Sequence, residues 1–311
     1  MSRIAFLGPA GTFSEEALLA DRELASADRV PRGSIPEVIA AAERGEADAC
    51  LVPLENAIEG SIDLTMDTLV FDSDLLIRRE LVRPISMNLI ACPGTKLRDV
   101  RAVVSIPAAT GQCRGWLDRR LPHAERLTAN STAAAVEQVA RARKPGLAAI
   151  GNRLAAERLK LAILAAEIED HPENETRFGL LGRGIPAPTG HDKTSIVCFQ
   201  RHDRPGSLLA ILQEFAARAI NLSGLHSRPT RTGLGRYCFV IDLDGHVADE
   251  LVADALRELS AKHAGVKFLG SYPAAESADG AARRRAVSKA WRESARWVEG
   301  LRAQIEQHPS R

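Results

Sequence analysis

A chain of 311 residues with 45% hydrophobic and 26% charged content is ordinary for a soluble globular protein and long enough for two or three domains. A formal net charge of +1 gives no electrostatic footing for nucleic acid or an anionic membrane. No apolar run approaches the roughly 18 residues of a membrane span, and the opening Met1 to Gly8 is interrupted too soon for a signal peptide. Five scattered cysteines (Cys50, Cys92, Cys113, Cys198 and Cys238) form no Cys-x-x-Cys pair, which favours reduced thiols in a cytoplasmic protein and disfavours a zinc site.

Residues 3–183 alternate strand and helix patterns. Ile4 to Leu7 reads as a short strand, followed by a Gly/Pro turn and a helix through Ala17 to Leu24. Pro36 to Arg44 reads as a second helix, and Ala49 to Val52 as a strand ending at Pro53. Further on come strand Ala102–Ile106, helix Gly111–Arg120, strand Ala124–Thr128 and helix Thr132–Arg143. Strand Leu147–Ile150, helix Arg153–Leu159 and strand Ala162–Ile168 complete the run. Such alternation predicts an α/β fold with parallel strands, as one sheet or as two lobes with a ligand cleft between them.

Residues 184–191, rich in Gly and Pro, read as a linker between a 1–183 domain and a 192–273 module. In that module, strand Thr194–Phe199, helix Ser207–Ala219, strands Asn221–Ser227 and Arg236–Leu243, helix Asp249–Lys262 and strand Val266–Ser271 make a ferredoxin-like β-α-β-β-α-β order. The 274–311 tail is basic at Arg283-Arg284-Arg285 and then helical. Its apolar seam is Val287, Trp291, Val298, Leu301 and Ile305, with Ser294 as the polar position. A seam of that length needs a partner, either the chain's own body or a second subunit.

Four segments carry chemistry. Gly8-Pro9-Ala10-Gly11-Thr12-Phe13-Ser14-Glu15 ends the first strand, and Thr12 with Glu15 has capping-box spacing at a helix start whose N–H groups attract anions. Its glycine spacing is not that of a dinucleotide fingerprint. Pro53-Leu54-Glu55-Asn56, with Ser61 just beyond, follows a buried strand, where parallel-sheet proteins place ligand loops. Asn130-Ser131-Thr132 caps an Ala-rich helix. Asn174-Glu175-Thr176-Arg177-Phe178 offers an amide, a hydroxyl and a planar guanidinium fork within four residues. In an extended segment 174 and 176 face one way and 177 the other, so convergence of all three requires a loop to reorient one of them. Each segment also has a plain structural reading, as a turn or a helix cap.

Together these segments resemble the prephenate dehydratase family over residues 3 to 273. The resemblance implies two α/β lobes of the periplasmic-binding-protein type, with the active site in the cleft, followed by an ACT domain that binds amino acids. Asp203-Arg204-Pro205-Gly206-Ser207-Leu208 is similar to the ACT helix entry, and Leu225-His226-Ser227-Arg228-Pro229 to its Glu-Ser-Arg-Pro segment. Ala57 stands where the family often has Ser, Ile106 where it has His, and His226 where it has Glu.

The implied reaction removes CO2 and water from prephenate, giving phenylpyruvate for phenylalanine biosynthesis. It requires holding two carboxylates, aligning the breaking bonds and donating a hydrogen bond to the leaving hydroxyl. It implies no cofactor and no metal. Thr176 is then the group at the departing hydroxyl and Arg177 the carboxylate clamp. Asn174, Thr12, Asn56, Ser61 and Ser131 are further contacts, Glu55 is a general acid if burial raises its pKa, and Phe178 packs the motif into its lobe.

In the ACT module, Pro205, Gly206, Leu208, Asn221, Leu222, Leu225, Ser227 and Arg228 are the expected effector contacts, with phenylalanine as feedback inhibitor between two modules of a homodimer or homotetramer. Arogenate dehydratase, acting on a substrate that differs by one amino group, fits the same motifs. A non-catalytic amino-acid sensor fits the architecture, although such a sensor has no use for Thr176 beside Arg177.

Overall fold

The computed structural model describes residues 2–200, 204–231, 233, 236–275, 293 and 296–304. They fall into two compact units, Met1–Gly184 and Ile185–Arg311. The first unit contains two α/β lobes.

Lobe 1 begins with β1 (Arg3–Leu7), α1 (Phe13–Leu19), β2 (Asp28–Arg32), α2 (Ile35–Glu43), β3 (Ala49–Asn56), β4 (Gly60–Ser61), α3 (Asp63–Asp67) and β5 (Leu76–Pro84). The chain then crosses into lobe 2 for β6 (Asn88–Ala91), β7 (Ala102–Ser105), α4 (Pro107–Gln112), α5 (Arg114–Arg120), β8 (Glu125–Thr128) and α6 (Thr132–Ala142). Lobe 2 closes with β9 (Leu147–Gly151), α7 (Arg153–Arg158) and β10 (Ala162–Ala165). A second crossing returns β11 (Glu175–Gly182) to lobe 1. The lobe 1 sheet runs β2-β1-β3-β11-β5 with β4 hydrogen-bonded to β3, and the lobe 2 sheet runs β10-β6-β9-β7-β8. This is the two-lobed, periplasmic-binding-protein-like architecture that the resemblance implies.

Each lobe closes around its own apolar side chains. Ile4, Phe6, Leu18, Leu51 and Phe178 are buried together in lobe 1. Leu89, Val103, Leu117 and Ile150 form one core of lobe 2, and Val104, Val136, Val139 and Ala149 another. Full burial of such a side chain stabilises by about 1.5–3 kcal/mol. Phe13 packs against the cores of both lobes.

The elements differ from the sequence expectations in several places. The helix expected to run to Leu24 stops at Leu19, and the Asp21 carboxylate then accepts from the N–H groups of Glu23 and Leu24 in a local turn that competes with helix. The helix expected over Gly111–Arg120 is two helices. Asp170, on the second crossing, accepts from the N–H groups of Gly115 and Trp116 and starts α5 afresh. β3 runs past Pro53 to Asn56 because β11 pairs along it, with a register shift between Arg177 and Phe178 where Pro53 has no N–H to give. Residues 175–178, expected in a polar gap, are therefore strand.

The second unit contains β12 (Asp192–Gln200), α8 (Ser207–Ala216), β13 (Leu222–Pro229), β14 (Tyr237–Asp244), α9 (Glu250–Glu258) and β15 (Ala264–Pro273). Its antiparallel sheet runs β13-β14-β12-β15, and the two helices pack on it through Ile211, Phe215, Val252 and Ala255. Of the expected tail seam, Val287, Trp291, Ser294 and Ile305 lie outside the described residues. Val298 and Leu301 fall in the helical stretch 296–302 and are 37% and 46% exposed in the single chain.

Candidate active site

Asn56 closes β3 and organises the site. Its Oδ1 accepts from the backbone N–H groups of Ile58 and Glu59 at 3.0 and 3.1 Å, so its amide orientation is fixed by obligate donors. Nδ2 must then face β11, where it donates to Asn174 Oδ1 (2.8 Å), Thr176 Oγ1 (3.0 Å) and the Glu175 carbonyl (3.2 Å). The same polarity continues into lobe 2. Asn174 Nδ2 donates to Gln112 Oε1 at 3.0 Å, and Gln112 Nε2 donates to Glu59 Oε1 at 2.7 Å. One chain of amides therefore runs from the end of β3, past the Thr176 hydroxyl, to the end of α4 across the cleft.

Thr176 accepts from Asn56, and among the described residues its own proton has no acceptor. The residue is 7% exposed. A hydroxyl held this way is polarised by the amide and left free to donate.

The strand periodicity of β11 sends Arg177 to the other side. Thr176 lies opposite Asn56 and Arg83, and Arg177 opposite Glu55 and Val82. No loop reorients Arg177, so the three groups of the motif do not converge. Its guanidinium instead sits 3.3 Å from Glu55 and 3.4 Å from Glu80, whose side chain is only 1% exposed. Glu55 is 38% exposed in its side chain, short of the burial that its expected role depends on. Ser61 lies opposite Glu55 across β4 and donates to Asp63. Phe178 is buried in the lobe 1 core, as expected.

The two cap residues are engaged in their own helices. Thr12 Oγ1 donates to the Leu7 carbonyl at 2.8 Å and accepts from Glu15 N at 3.4 Å. Ser131 Oγ accepts from Ala134 N at 2.9 Å, starting α6. The Thr12 hydroxyl is thus engaged both as donor and as acceptor, whereas Ser131 only accepts, and the N–H groups at these helix starts are of the kind that attract anions.

Sequence reasoning passed over Gln112, Glu80, Glu16 and Asn152. Gln112 sat inside a stretch read as one continuous helix, and only the break before α5 turns its side chain toward the second crossing. Ser105 and Pro107 flanked the position where the family has His. In the structure Ser105 Oγ donates to the Ile150 carbonyl at 3.0 Å, a bond inside the lobe 2 sheet.

In the second unit a concavity of about 530 Å³ is lined by Arg204, Gly206, Leu208, Ser227, Tyr237 and Phe239, among others. It gathers three of the eight expected effector contacts. Gly206, at φ +87°, turns the chain into α8. Pro205 precedes that turn. Asn221 donates to Asp244, Leu222 packs into the core under the helices, Leu225 is 43% exposed and Arg228 is 7% exposed.

The comparisons with known proteins agree with this architecture. The family model "Prephenate dehydratase" matches residues 4–185 and the model "ACT domain" residues 194–261. A prephenate dehydratase of Mycolicibacterium vanbaalenii is 42% identical over 317 residues, covering 97% of this chain and 99% of that protein. The crystal structure of a prephenate dehydratase from Arthrobacter aurescens, in complex with L-Phe, superposes with a TM-score of 0.85 at 38% identity, covering 96% of this chain and 99% of that one. The structure of a quorum-quenching acylase, GqqA, superposes with a TM-score of 0.79 at 29% identity over 88% of this chain and 98% of that one. Architecture by itself thus admits more than one chemistry, and the assignment rests on the family match and on identity along the full length. On those grounds the chain belongs to the prephenate dehydratase family, carbon–oxygen lyases with an ACT domain following the catalytic lobes.

Proposed function

We propose that the Asn56–Asn174–Thr176–Gln112 cluster is where this chain converts prephenate to phenylpyruvate. The observation that carries the reading is the polarised Thr176 hydroxyl, whose proton has no acceptor among the described residues. As the ring carboxylate leaves as CO2, its bonding pair enters the ring and the ring hydroxyl departs at the opposite carbon. Thr176 donates to that oxygen, which leaves as water after taking up one proton. An alcohol is a weak acid, so Thr176 relays a proton or stabilises the leaving oxygen rather than ending as an alkoxide.

The substrate carboxylates fall to the N–H groups at the starts of α1 and α6, beside Thr12 and Ser131. Arg177, the carboxylate clamp expected from the motif, lies on the other face of β11 against Glu55 and Glu80, and its part in holding substrate is left to the test of Arg177→Lys. Glu55 and Ser61 accompany it on that side of the sheet. The test is incubation of the purified protein with prephenate and with arogenate, following phenylpyruvate absorbance and phenylalanine release. Phenylpyruvate formation supports the reading, turnover of arogenate alone replaces the substrate, and turnover of neither removes it.

Phenylalanine is the proposed effector of the ACT module, supported by the L-Phe complex of the Arthrobacter relative and by the concavity at Gly206, Leu208 and Ser227. Pro205, Asn221, Leu222, Leu225 and Arg228 complete the expected contacts, with the ligand shared between two modules of a homodimer or homotetramer. The cytoplasm is proposed as its compartment, supported by the scattered cysteines, which form no Cys-x-x-Cys pair. Mass in solution with and without phenylalanine tests the assembly.

A further inference from the structure

The start of α1 belongs to lobe 1 and the start of α7 to lobe 2, yet the two touch. Gly11 has φ +91°, and a Cβ there would lie 3.3 Å from Ala155 Cα, so the approach is one that only glycine permits comfortably. Glu15 Oε2 takes the Gly11 N–H at 2.6 Å, and Glu15 Oε1 lies 3.0 Å from Arg158 and 3.4 Å from Arg29. One residue further on, Glu16 Oε2 accepts from Asn152 Nδ2 at 2.9 Å.

Asn152 is 2% exposed, and both ends of its amide are engaged. Oδ1 accepts from Ala155 N at 3.0 Å and caps α7, which fixes the amide orientation and leaves Nδ2 no direction but lobe 1. A single side chain thus starts a helix in one lobe and bonds the other lobe.

We propose that Asn152 is a positioning residue for the dehydratase reaction, setting through Glu16 the spacing of the two lobes and so the placement of Gln112 and the α6 start against Asn56 and Thr176. The inference rests on the cleft location proposed for the site. Glu16 is suited to hold such a bond, because it is half-buried. That burial pushes its carboxyl above the usual carboxylate range, the Asn152 bond pulls it down, Glu157 raises it and Arg153 lowers it. From α1 itself it is flanked by Glu15, which is already held by Arg158 and Arg29.

The experiment exchanges donor for acceptor. Asn152→Asp preserves the cap, since aspartate is as good an N-cap as asparagine, but sets a carboxylate against Glu16. Two such groups coexist only by sharing a proton. At pH 8 kcat/KM should fall on the order of ten- to a hundredfold. The deficit should shrink toward pH 5.5 as the pair takes up that proton. Adding Glu16→Gln restores a donor facing an acceptor with the polarity reversed, and kcat/KM should return to within about threefold of the parent across the pH range.

Spin labels at exposed Leu64 in lobe 1 and Arg98 in lobe 2 report the spacing without reference to turnover. The distance should lengthen in Asn152→Asp at pH 8 and recover in the double variant, whatever part Thr176 plays. Unchanged kcat/KM for Asn152→Asp at every pH, a deficit that Glu16→Gln leaves unrepaired, or an unchanged inter-lobe distance each overturns the proposal. Failure of Thr176→Ala to reduce turnover, with the distance still responding, overturns only the location of the site.

Discussion

Asn56 Nδ2 stands 3.0 Å from Thr176 Oγ1, and because an amide N–H only donates, the threonine hydroxyl is the acceptor of that bond. The direction matters more than the distance. It leaves the Thr176 proton without an acceptor among the described residues, which is why the removal of this one hydroxyl is the most informative change in the molecule.

Thr176→Ala is expected to lower kcat on the order of 10²–10⁴-fold with little change in KM, since a bond that forms as the hydroxyl departs acts on the transition state. Thr176→Ser should retain most of the rate. Phenylpyruvate absorbance at saturating prephenate measures both, and near-parental kcat in the alanine variant would remove Thr176 from the chemistry.

Asn56→Asp keeps the acceptor for the Ile58 and Glu59 N–H groups, so the turn after β3 should persist. The second carboxylate oxygen, however, now faces the Thr176 hydroxyl and the Asn174 carbonyl oxygen. Thr176 would turn its proton inward to the carboxylate and withdraw it from the substrate. A kcat loss of about 10²-fold or more is expected, with stability lowered by about 1–3 kcal/mol from the acceptor–acceptor contact with Asn174. Urea unfolding beside steady-state kinetics separates the two effects.

Arg177→Lys distinguishes a substrate clamp from an internal ion pair. Lysine keeps the charge but not the fork that lies between Glu55 and Glu80. The geometry predicts a stability loss of about 1–3 kcal/mol, because a guanidinium bond to the nearly inaccessible Glu80 is weakened. A raised KM with unchanged stability would instead make Arg177 the clamp read from the motif.

Leu208→Trp should obstruct the concavity of about 530 Å³ in the ACT module. Calorimetry with phenylalanine is expected to show Kd raised at least tenfold, on the order of the cost of displacing a ring from an apolar pocket. An undiminished heat would move the effector away from Gly206, Leu208 and Ser227.

The folded enzyme should resist thiol alkylation. Burial pushes Cys50, Cys113 and Cys198 up to about 12, so at pH 8 on the order of one in ten thousand of these groups is the reactive thiolate. Mass spectrometry after maleimide treatment should find these three unmodified until denaturant is added.

The sequence made the lobes and the ACT order legible because β-α alternation and Gly/Pro breaks are local signals. It also singled out Asn56, Asn174 and Thr176, which the structure brings within hydrogen-bond reach. What local pattern could not supply was partnership at long range. Residues 175–177 are polar and short of apolar alternation, and they are strand only because β3 and β5 flank them. That pairing divides Thr176 from Arg177. Gln112 was hidden for a related reason: the helix break that aims it depends on Asp170, which lies 55 residues further along the chain from Gly115.

β11 is the strand between β3 and β5, although the whole second lobe intervenes, and 120 residues separate Asn56 from Thr176. During synthesis at roughly 5–20 residues per second, β3 and β5 therefore wait on the order of ten seconds for the strand that joins them. Over that interval the nascent first lobe has two open sheet edges, the kind of surface chaperones protect and neighbouring chains exploit. Thr176 is among the last parts of its lobe to be made. A ribosome that stops early releases a fragment with most of a lobe and no β11 to join its sheet.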